Sequence, residues 1–451
     1  MITLKEALAL EPGAVHELRD DLARKIEEKQ SLGAYIEQLE GTPITQSGSG
    51  VPILVKDNIQ VKEWPITCAS KMLQGYRAPY NATVIEKLTA AGLSPFGRAN
   101  MDEFAMGSST ESSFYGRTLN PHNPACVPGG SSGGSAAAVG GGIAIAALGS
   151  DTGGSIRQPA SLCGCVGMKP TYGRVSRYGL TAFSSSLDQI GPLTQNVEDA
   201  ALLYDMMAGY DPKENTSAQV EHRPVAPTLS KKGRKLKIAV VENYLQQCEA
   251  GTAKTLQVAI DALQKAGHEI VPVKMTACDH HVATYYILAT AEASANLARF
   301  DGVRYGYRAE ASTLKEQYEK SRSEGFGAEV KRRILLGAFV LSSGYYDAYY
   351  RKAQQVRSLI TAEYAKLFEH ADLLFTPVSA APAFEFGSKK DPLQMYLSDI
   401  FTISINLAGL PAISVPAGTS SGLPVGAQLI AKAFDEETLF AGAYALENAL
   451  S

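Results

Sequence analysis

The chain has 451 residues, of which 45% are hydrophobic and 20% are charged, a composition typical of a globular protein with a substantial core. Its formal net charge of −4 excludes a nucleic-acid surface built on bulk positive charge, so any RNA partner must be held by another chain or by a local patch. No run approaches the roughly 20 apolar residues of a membrane helix, and residues 1–11 lack the pattern of a secretory signal. These features predict a cytoplasmic protein without a membrane segment.

The first 210 residues alternate between helical and strand patterns. Apolar side chains at three- and four-residue spacing predict an N-terminal helix over about residues 13–30. The apolar runs 51–55 and 93–97 predict buried strands, and residues 82–91 between them predict a helix. This order indicates an α/β protein with a parallel or mixed sheet and helices on its faces.

A polar stretch over about 212–235 interrupts this pattern and ends in a basic run that predicts a solvated loop. A further β-α-β unit is predicted over 236–273, followed by a mostly helical block over 283–370. The strands predicted after this block are 373–375, 412–415 and 425–430. We expect the strands on both sides of the helical block to join one sheet, which makes the block an insertion in a single domain spanning 1–451.

Cys163 and Cys165 lie among apolar neighbours, which predicts buried free thiols, with a metal or disulfide role as the alternative. No two of the six cysteines have C-x-x-C spacing. They are Cys68, Cys126, Cys163, Cys165, Cys248 and Cys278.

Residues 121–175 are crowded with Gly, Ser and Ala, which we interpret as closely packed backbone and not as a flexible linker. The tract lacks the Gly-Lys-Ser/Thr ending of a phosphate-binding loop and the G-x-G-x-x-G pattern of a dinucleotide site. Its segment 130–134 matches the nucleophile elbow G-x-S-x-G around Ser132. However, the prolines before it disfavour the strand that this elbow requires, and no downstream histidine lies in the context of a site loop.

A serine nucleophile without histidine needs another base, and lysine is the known substitute if burial keeps it neutral. Lys56 directly follows the buried run 51–55 and fits this requirement, although a solvated lysine at a strand end is an equal alternative. Residues 149–155 present successive backbone N–H groups that could hold an oxyanion, with Ser155 at the end. A tight structural turn is the alternative for this segment.

Four motifs in order along the chain resemble those of the amidase signature family. They are residues 55–58 (VKDN), 128–135 (PGGSSGGS), 149–157 (GSDTGGSIR) and 163–171 (CGCVGMKPT). The resemblance implies the amidase signature fold, in which a central mixed β-sheet is covered by helices on both faces. It also implies a signature core over about 45–210, with the block 283–370 as an insertion.

The resemblance assigns the catalytic roles to a Ser–cis-Ser–Lys triad. Ser155 is the implied nucleophile, and Ser131, after a cis peptide, passes a proton to neutral Lys56. The backbone N–H groups of Thr152, Gly153 and Gly154, with that of Ser155, are implied to form the oxyanion hole. No cofactor is implied for this chain.

Further motifs resemble the glutamine-hydrolysing subunits of tRNA-dependent amidotransferases. They are residues 67–71, 79–83, 100–111, 172–180, 329–334, 396–399 and 401–402. This likeness implies a heterotrimer with B and C subunits as partners, in which ammonia from L-glutamine amidates charged tRNA, Glu-tRNA(Gln) and possibly Asp-tRNA(Asn). ATP and Mg²⁺ would be used by the partner. The alternative is a stand-alone amidase that hydrolyses small or aryl carboxamides.

Glutamine carries one carboxylate and one ammonium beside its amide, so its pocket needs a fixed cation and a fixed anion. We predict that Arg332, or its neighbour Arg333, binds the carboxylate and that Asp399 binds the ammonium. Arg332 on a solvated helix face and Asp399 as a helix cap are the alternatives. By resemblance, Tyr285 or Tyr286 borders the same pocket, and we expect the loop Ala105–Ser108, which contains Met106 and Gly107, to form one of its walls.

Overall fold

The structure, a computed structural model, describes residues 1–229, 234–276 and 280–451. Residues 231–233 of the predicted basic loop and Cys278 lie outside the described residues. The other five cysteines are free thiols, as predicted for Cys163 and Cys165, and all of them are buried except Cys248, which is half-buried. Across these three ranges no helix is long and apolar enough to cross a membrane.

Ten strands in the described residues form one mixed sheet with the order β2-β1-β3-β5-β4-β9-β10-β8-β6-β7. They are β1 Val51–Lys56, β2 Leu93–Ala99, β3 Ala146–Asp151, β4 Val166–Lys169, β5 Gln189–Thr194, β6 Lys237–Val241, β7 Glu269–Val273, β8 Leu373–Pro377, β9 Ala412–Ser420 and β10 Leu423–Ile430. Parallel pairing joins β1 to β2 and β3, and β6 to β7 and β8. The strands between these two groups pair antiparallel, so the predicted mixed sheet is confirmed.

Helices cover both faces of this sheet. They are α1 Leu4–Leu8, α2 Pro12–Glu28, α3 Ile36–Glu40, α4 Thr83–Ala90, α5 Gly133–Gly140, α6 Arg157–Cys163, α7 Val197–Met207, α8 Glu242–Leu245, α9 Ala250–Lys265, α10 His281–Asn296, α11 Leu314–Gly325, α12 Ala328–Leu341, α13 Lys352–Leu367, α14 Pro392–Tyr396, α15 Ile403–Leu407 and α16 Glu436–Leu450. Successive strand residues point to opposite faces. Accordingly, Ile238 and Val240 join a core with α7, α9 and α16, whereas Ala239 and Val241 join a second core with α10, α12 and α13.

The helical block α10–α13 follows β7 in the chain and precedes β8, and both of these strands pair with β6. The flanking strands therefore lie in one sheet, as expected. Sequence analysis missed three neighbouring strands, β3, β4 and β5, of which β5 lies between the other two. In β5, Gly191 and Pro192 disfavour a central strand, yet Pro192 faces Leu148 in the antiparallel ladder.

The Gly- and Ala-rich tract is packed backbone, as predicted, because α5 and most residues around it are buried. Two of its glycines permit close approach of neighbouring chain segments. A Cβ on Gly134 would lie 2.4 Å from the carbonyl oxygen of Ala34, and one on Gly140 would lie 2.1 Å from that of Cys163. Larger residues at these positions would push α5 away from its neighbours.

A fully buried ion pair fixes the turn between β3 and α6. Asp151 and Arg157 are both 0% exposed, and Arg157 Nε donates to Asp151 Oδ2 at 3.0 Å. The same guanidinium donates to Gln428 Oε1 at 2.7 Å and to the carbonyl oxygen of Thr402 at 3.2 Å. These bonds tie the turn to β10 and to the chain just before α15.

We expect Asp151→Asn to lower the free energy of unfolding by about 3–5 kcal/mol, because it leaves the Arg157 charge buried without its counter-charge. Chemical denaturation followed by circular dichroism measures this change. Glu269→Gln, which removes an exposed ion pair with Lys237, is the matched control and should cost less than about 1 kcal/mol. Equal losses in the two variants would contradict the structural role of the buried pair.

Candidate active site

Lys56 is the last residue of β1 and is fully buried. Its Nζ donates hydrogen bonds to Ser131 Oγ and Ser132 Oγ, both at 2.8 Å, and to Ser150 Oγ at 3.0 Å. Three hydroxyl groups thus surround the amine, and each of them can both donate and accept. The alternative of a solvated lysine at a strand end is wrong.

Burial lowers the pKa of Lys56 to about 7, because the charged ammonium loses its hydration. The carboxylates of Asp102, Asp151 and Asp188 oppose this effect and favour the charged form. The net result brings the neutral amine, which can accept a proton, into the range of neutral pH.

Ser131 follows a cis peptide bond from Gly130, as the resemblance implies. The segment that holds it contacts the predicted nucleophile, since Ser132 N donates to the carbonyl oxygen of Ser155 at 3.1 Å. Ser155 lies between β3 and α6 with 8% of its surface exposed. Within the described ranges its Oγ makes no hydrogen bond, so the hydroxyl is free to meet a substrate.

The turn before Ser155 carries the predicted oxyanion hole, and one of its four predicted donors is already used. Gly154 N donates to Asp151 Oδ1 at 2.8 Å. The N–H groups of Thr152, Gly153 and Ser155 have no acceptor among the described residues. In this conformation the turn therefore offers three free donors, and Gly154 serves the buried ion pair instead.

Tyr285 on α10 borders this turn, and Tyr286 next to it contacts Tyr396 in the wall of the cleft. A Cβ on Gly153 would lie 2.7 Å from Cζ of Tyr285, so glycine is needed for this contact. The ring of Tyr286 stacks on that of Tyr396 with centroids 3.9 Å apart. Burial raises the pKa of both Tyr285 and Tyr286, which are therefore neutral hydrogen-bonding groups.

The two candidate arginines on α12 have different surroundings. The Arg333 side chain is 4% exposed, donates from Nε to Glu329 Oε1 at 2.8 Å, and lies over the rings of Tyr286 and Tyr396 at 5.2 and 5.6 Å. Its terminal nitrogens make no hydrogen bond to any described residue. The Arg332 side chain is 43% exposed and is paired with Glu329.

Asp399 is buried beside the loop that contains Met106 and Gly107. Its Oδ2 accepts a hydrogen bond from Ser108 Oγ at 2.5 Å, whereas its buried Oδ1 has no partner in the described chain. Burial raises the pKa of Asp399 to about 7, opposed mainly by the Ser108 hydrogen bond and the Arg333 charge. An unpaired buried carboxylate oxygen calls for a cationic ligand.

A cleft contains part of the predicted pocket, but Ser155 and Asp399 are not among the described residues that line it; Asp399 adjoins the cleft through its hydrogen bond from Ser108. The cleft is lined by Met106, Gly107, Ser108, Glu329, Arg332, Arg333 and Tyr396, among others. Within the described ranges, no cluster of His, Cys, Asp and Glu is arranged to hold a metal ion.

Sequence analysis missed several residues that support the site, and one signal could have separated the two arginines. The buried positions of α12 include Val330, Arg333, Gly337 and Val340, a stripe at helical spacing that excludes Arg332. Glu329, Gln158 and Thr402 act through side-chain bonds to distant segments, for which the sequence carries no periodic signal, whereas Ser108 lies in the loop predicted to form a pocket wall.

The sequence matches the Amidase family over residues 23–440, so the chain belongs to this family of enzymes. The A subunit of the glutamyl-tRNA(Gln) amidotransferase from a Nitratiruptor species is 63% identical over 450 residues, and the match covers 100% of both chains. The corresponding protein of Campylobacter curvus is 65% identical over 449 residues, covering 99% of each chain.

Solved structures show the same fold. The chain resembles the A subunit of the glutamyl-tRNA(Gln) amidotransferase from Thermotoga maritima with a TM-score of 0.85 and 42% identity, covering 99% of this chain and 94% of that one. It also resembles a peptide amidase bound to chymostatin, with a TM-score of 0.82 and 27% identity over 99% and 97% of the two chains. Because enzymes with different substrates share the fold, the substrate must be argued from the pocket.

We expect amide hydrolysis to depend on a neutral Lys56, so kcat/KM for a small neutral amide should rise with pH to about 7 and then level off. The neutral form of an amine predominates above its pKa, which gives the sign of this dependence. NMR of isotope-labelled lysine should show titration near the same pH, and Lys56→Met should remove that signal.

Lys169 provides the matched control, because burial also lowers its pKa to about 7 although its Nζ donates to the carbonyl oxygen of Pro170. Lys169→Met should remove a second lysine signal but leave the acid limb of the rate profile in place. A rate that is constant across neutral pH would contradict the role of Lys56.

Proposed function

We propose that this chain hydrolyses L-glutamine to glutamate and ammonia as the amidase subunit of a tRNA-dependent amidotransferase. The observation that supports this most is a pair of unsatisfied charged groups, of which Arg333 lines the cleft and Asp399 is bonded to Ser108 in the wall of the cleft. Arg333 has free terminal nitrogens among the described residues, and Asp399 has a buried Oδ1 without a partner in the described chain. A cation and an anion beside a nucleophile match the α-carboxylate and α-ammonium of an amino acid amide.

The carboxylate clamp is better assigned to Arg333 than to Arg332. Glu329 and the stacked rings hold the Arg333 guanidinium through Nε and its faces, which leaves both terminal nitrogens for bidentate binding. The Arg332 side chain is 43% exposed and is paired with Glu329. We therefore assign it an indirect role, in which it helps to hold the Glu329 carboxylate that in turn holds Arg333.

The reaction begins when Ser155 Oγ attacks the side-chain amide carbon of glutamine and gives its proton to Ser131. Ser131 passes its own proton to neutral Lys56, 2.8 Å away. The free N–H groups of Thr152, Gly153 and Ser155 stabilise the oxyanion. Collapse of the tetrahedral intermediate breaks the C–N bond, and the proton returns through Ser131 to the leaving ammonia.

The acyl-enzyme is then hydrolysed by water along the same proton route. Water gives a proton to Ser131 as it attacks, and Ser155 recovers a proton when glutamate leaves. No cofactor in this chain takes part in these steps.

A large apolar surface supports assembly with the B and C subunits. On α12, α13 and the segment between them, the exposed side chains are Leu335, Leu336, Phe339, Leu341, Tyr345, Tyr346, Tyr349 and Leu359. Leu335 is 70% exposed and Leu359 is 67% exposed. Contiguous exposed hydrophobic surface of this kind typically marks a protein interface.

In this assembly the ammonia amidates Glu-tRNA(Gln), with Asp-tRNA(Asn) as a second candidate acceptor, at a partner subunit that uses ATP and Mg²⁺. The net charge of −4 agrees with tRNA being held by a partner. We also propose that residues 1–451 form a single amidase domain and that the complex is cytoplasmic, where charged tRNA is used.

We expect Arg333→Met and Asp399→Asn each to lower kcat/KM for glutamine by about 100-fold, because each leaves a substrate charge buried without its partner. Kinetics with glutamine and with a small neutral amide measure the effect, which should be absent for the neutral amide. Arg332→Met is the matched control and should cost at most about tenfold. A larger loss in Arg332→Met than in Arg333→Met would reverse the assignment of the clamp.

Ammonia release from L-glutamine, with Ser155→Ala as the blank, tests the proposed function directly. We expect glutamine to be preferred over neutral aliphatic amides and the rate to rise when the B and C subunits are bound. A double substitution in the apolar surface, Leu335→Glu with Phe339→Glu, should prevent the rise but leave the basal rate of the isolated chain. Preference for neutral amides by the isolated chain would indicate a stand-alone amidase.

A further inference from the structure

Gln158 lies on α6, three positions after Ser155, and is 1% exposed. Its Oε1 accepts a hydrogen bond from Gly130 N at 3.0 Å, and its Nε2 donates to the carbonyl oxygen of Ser108 at 3.0 Å. The proposed mechanism gives this side chain no part. A buried side-chain amide that makes hydrogen bonds to two separate loops of one site is expected to have a role there.

The orientation of this amide is fixed by its partners. The Gly130 N–H can only donate and the Ser108 carbonyl can only accept, so each end of the Gln158 amide matches one partner. A carboxylate would repel the Ser108 carbonyl oxygen, and an apolar side chain would lose both bonds. Glutamine therefore acts here as a two-ended link between the loops.

The two loops lead to the two functional parts of the site. Gly130 is joined by the cis peptide to Ser131, the proposed proton carrier. Ser108, at the other end, donates from Oγ to Asp399, the proposed ammonium site. A continuous series of bonds thus runs from Asp399 through Ser108 and Gln158 to Ser131.

We propose that Gln158 is a positioning residue that couples binding of the substrate ammonium at Asp399 to the placement of Ser131 for proton transfer. This inference rests on the proposed function. When an ammonium pairs with Oδ1 of Asp399, the carboxylate is held in its ionised form and the hydrogen bond from Ser108 becomes charge-assisted. The loop around Ser108 is then fixed, and Gln158 fixes Gly130 with it, so the ammonium affects kcat as well as KM.

Gln158→Met tests the coupling, because methionine has a similar size and removes both hydrogen bonds. The substrates are L-glutamine and glutaramate, which has the same amide and carboxylate but no ammonium. In the unmodified protein we expect kcat to be about tenfold higher for glutamine. In Gln158→Met, kcat for glutamine should fall to the glutaramate value, with kcat for glutaramate and KM for glutamine little changed.

Ser108→Ala breaks the series at its other bond and keeps the test decisive if Gln158→Met does not fold. It should lower kcat for glutamine to a similar extent, and the double variant should be no slower than either single variant. Ser161→Ala is the matched control, because Ser161 lies on the same helix and its Oγ accepts a buried bond from Gly426 N, away from the series. This control should leave the ratio of the two kcat values unchanged.

An equal loss of kcat on both substrates, or a change in KM alone, would overturn the coupling and leave Gln158 a merely structural role. Such a result is distinct from failure of the proposed function. In that case the unmodified protein would show no preference for glutamine, and Asp399→Asn would leave its kcat/KM unchanged.

Discussion

Between the end of β3 and the start of α6 the chain turns around the carboxylate of Asp151, which accepts hydrogen bonds from Gly154 N, Ile156 N and the Arg157 guanidinium. Burial alone would raise the pKa of Asp151, but Arg157 overrides this effect and holds the pKa below its usual range. The fixed charge pair therefore shapes the turn that presents Ser155. Asp151 also accepts the Gly154 N–H, whereas the N–H groups of Thr152, Gly153 and Ser155 have no acceptor among the described residues.

The surroundings of Lys56, on the adjacent strand β1, have the opposite effect on charge, because they favour the neutral form of its amine. Lys56 has hydroxyl groups and no carboxylate within hydrogen-bonding distance among the described residues, so burial lowers its pKa. A salt bridge such as that of Arg157 would keep the amine charged and unable to accept a proton. The buried residues around this turn thus include an arginine paired for structure and, in Lys56, an amine that can lose its charge for chemistry.

The site combines parts from regions that are distant in the sequence. The loops around the first strands supply the groups proposed for catalysis, whereas α12 and the segment around Asp399 supply those proposed for recognition. The hydroxyl of Thr402 joins the two regions by donating to the carbonyl oxygen of Gly153 at 2.6 Å. Substrate recognition can therefore vary with the later segments while the turn that presents Ser155 stays the same.

The sequence by itself determined the features that depend on local pattern. Apolar runs located β1 and the other strands with regular patterns, and ordered motifs identified the family and the triad candidates. Tertiary structure decided whether Lys56 was buried, whether the glycine turn kept its donors free, and which of the two arginines was buried with free terminal nitrogens. Neighbouring helix residues point about 100° apart, so the apolar stripe of α12 favours Arg333 as the buried arginine, but only packing shows that Glu329, Tyr286 and Tyr396 hold its guanidinium. Likewise, the place of Pro192 in a central strand depends on its pairing with Leu148 of β3, which is far away in the chain. Whether the buried Oδ1 of Asp399 has a partner also depends on distant segments.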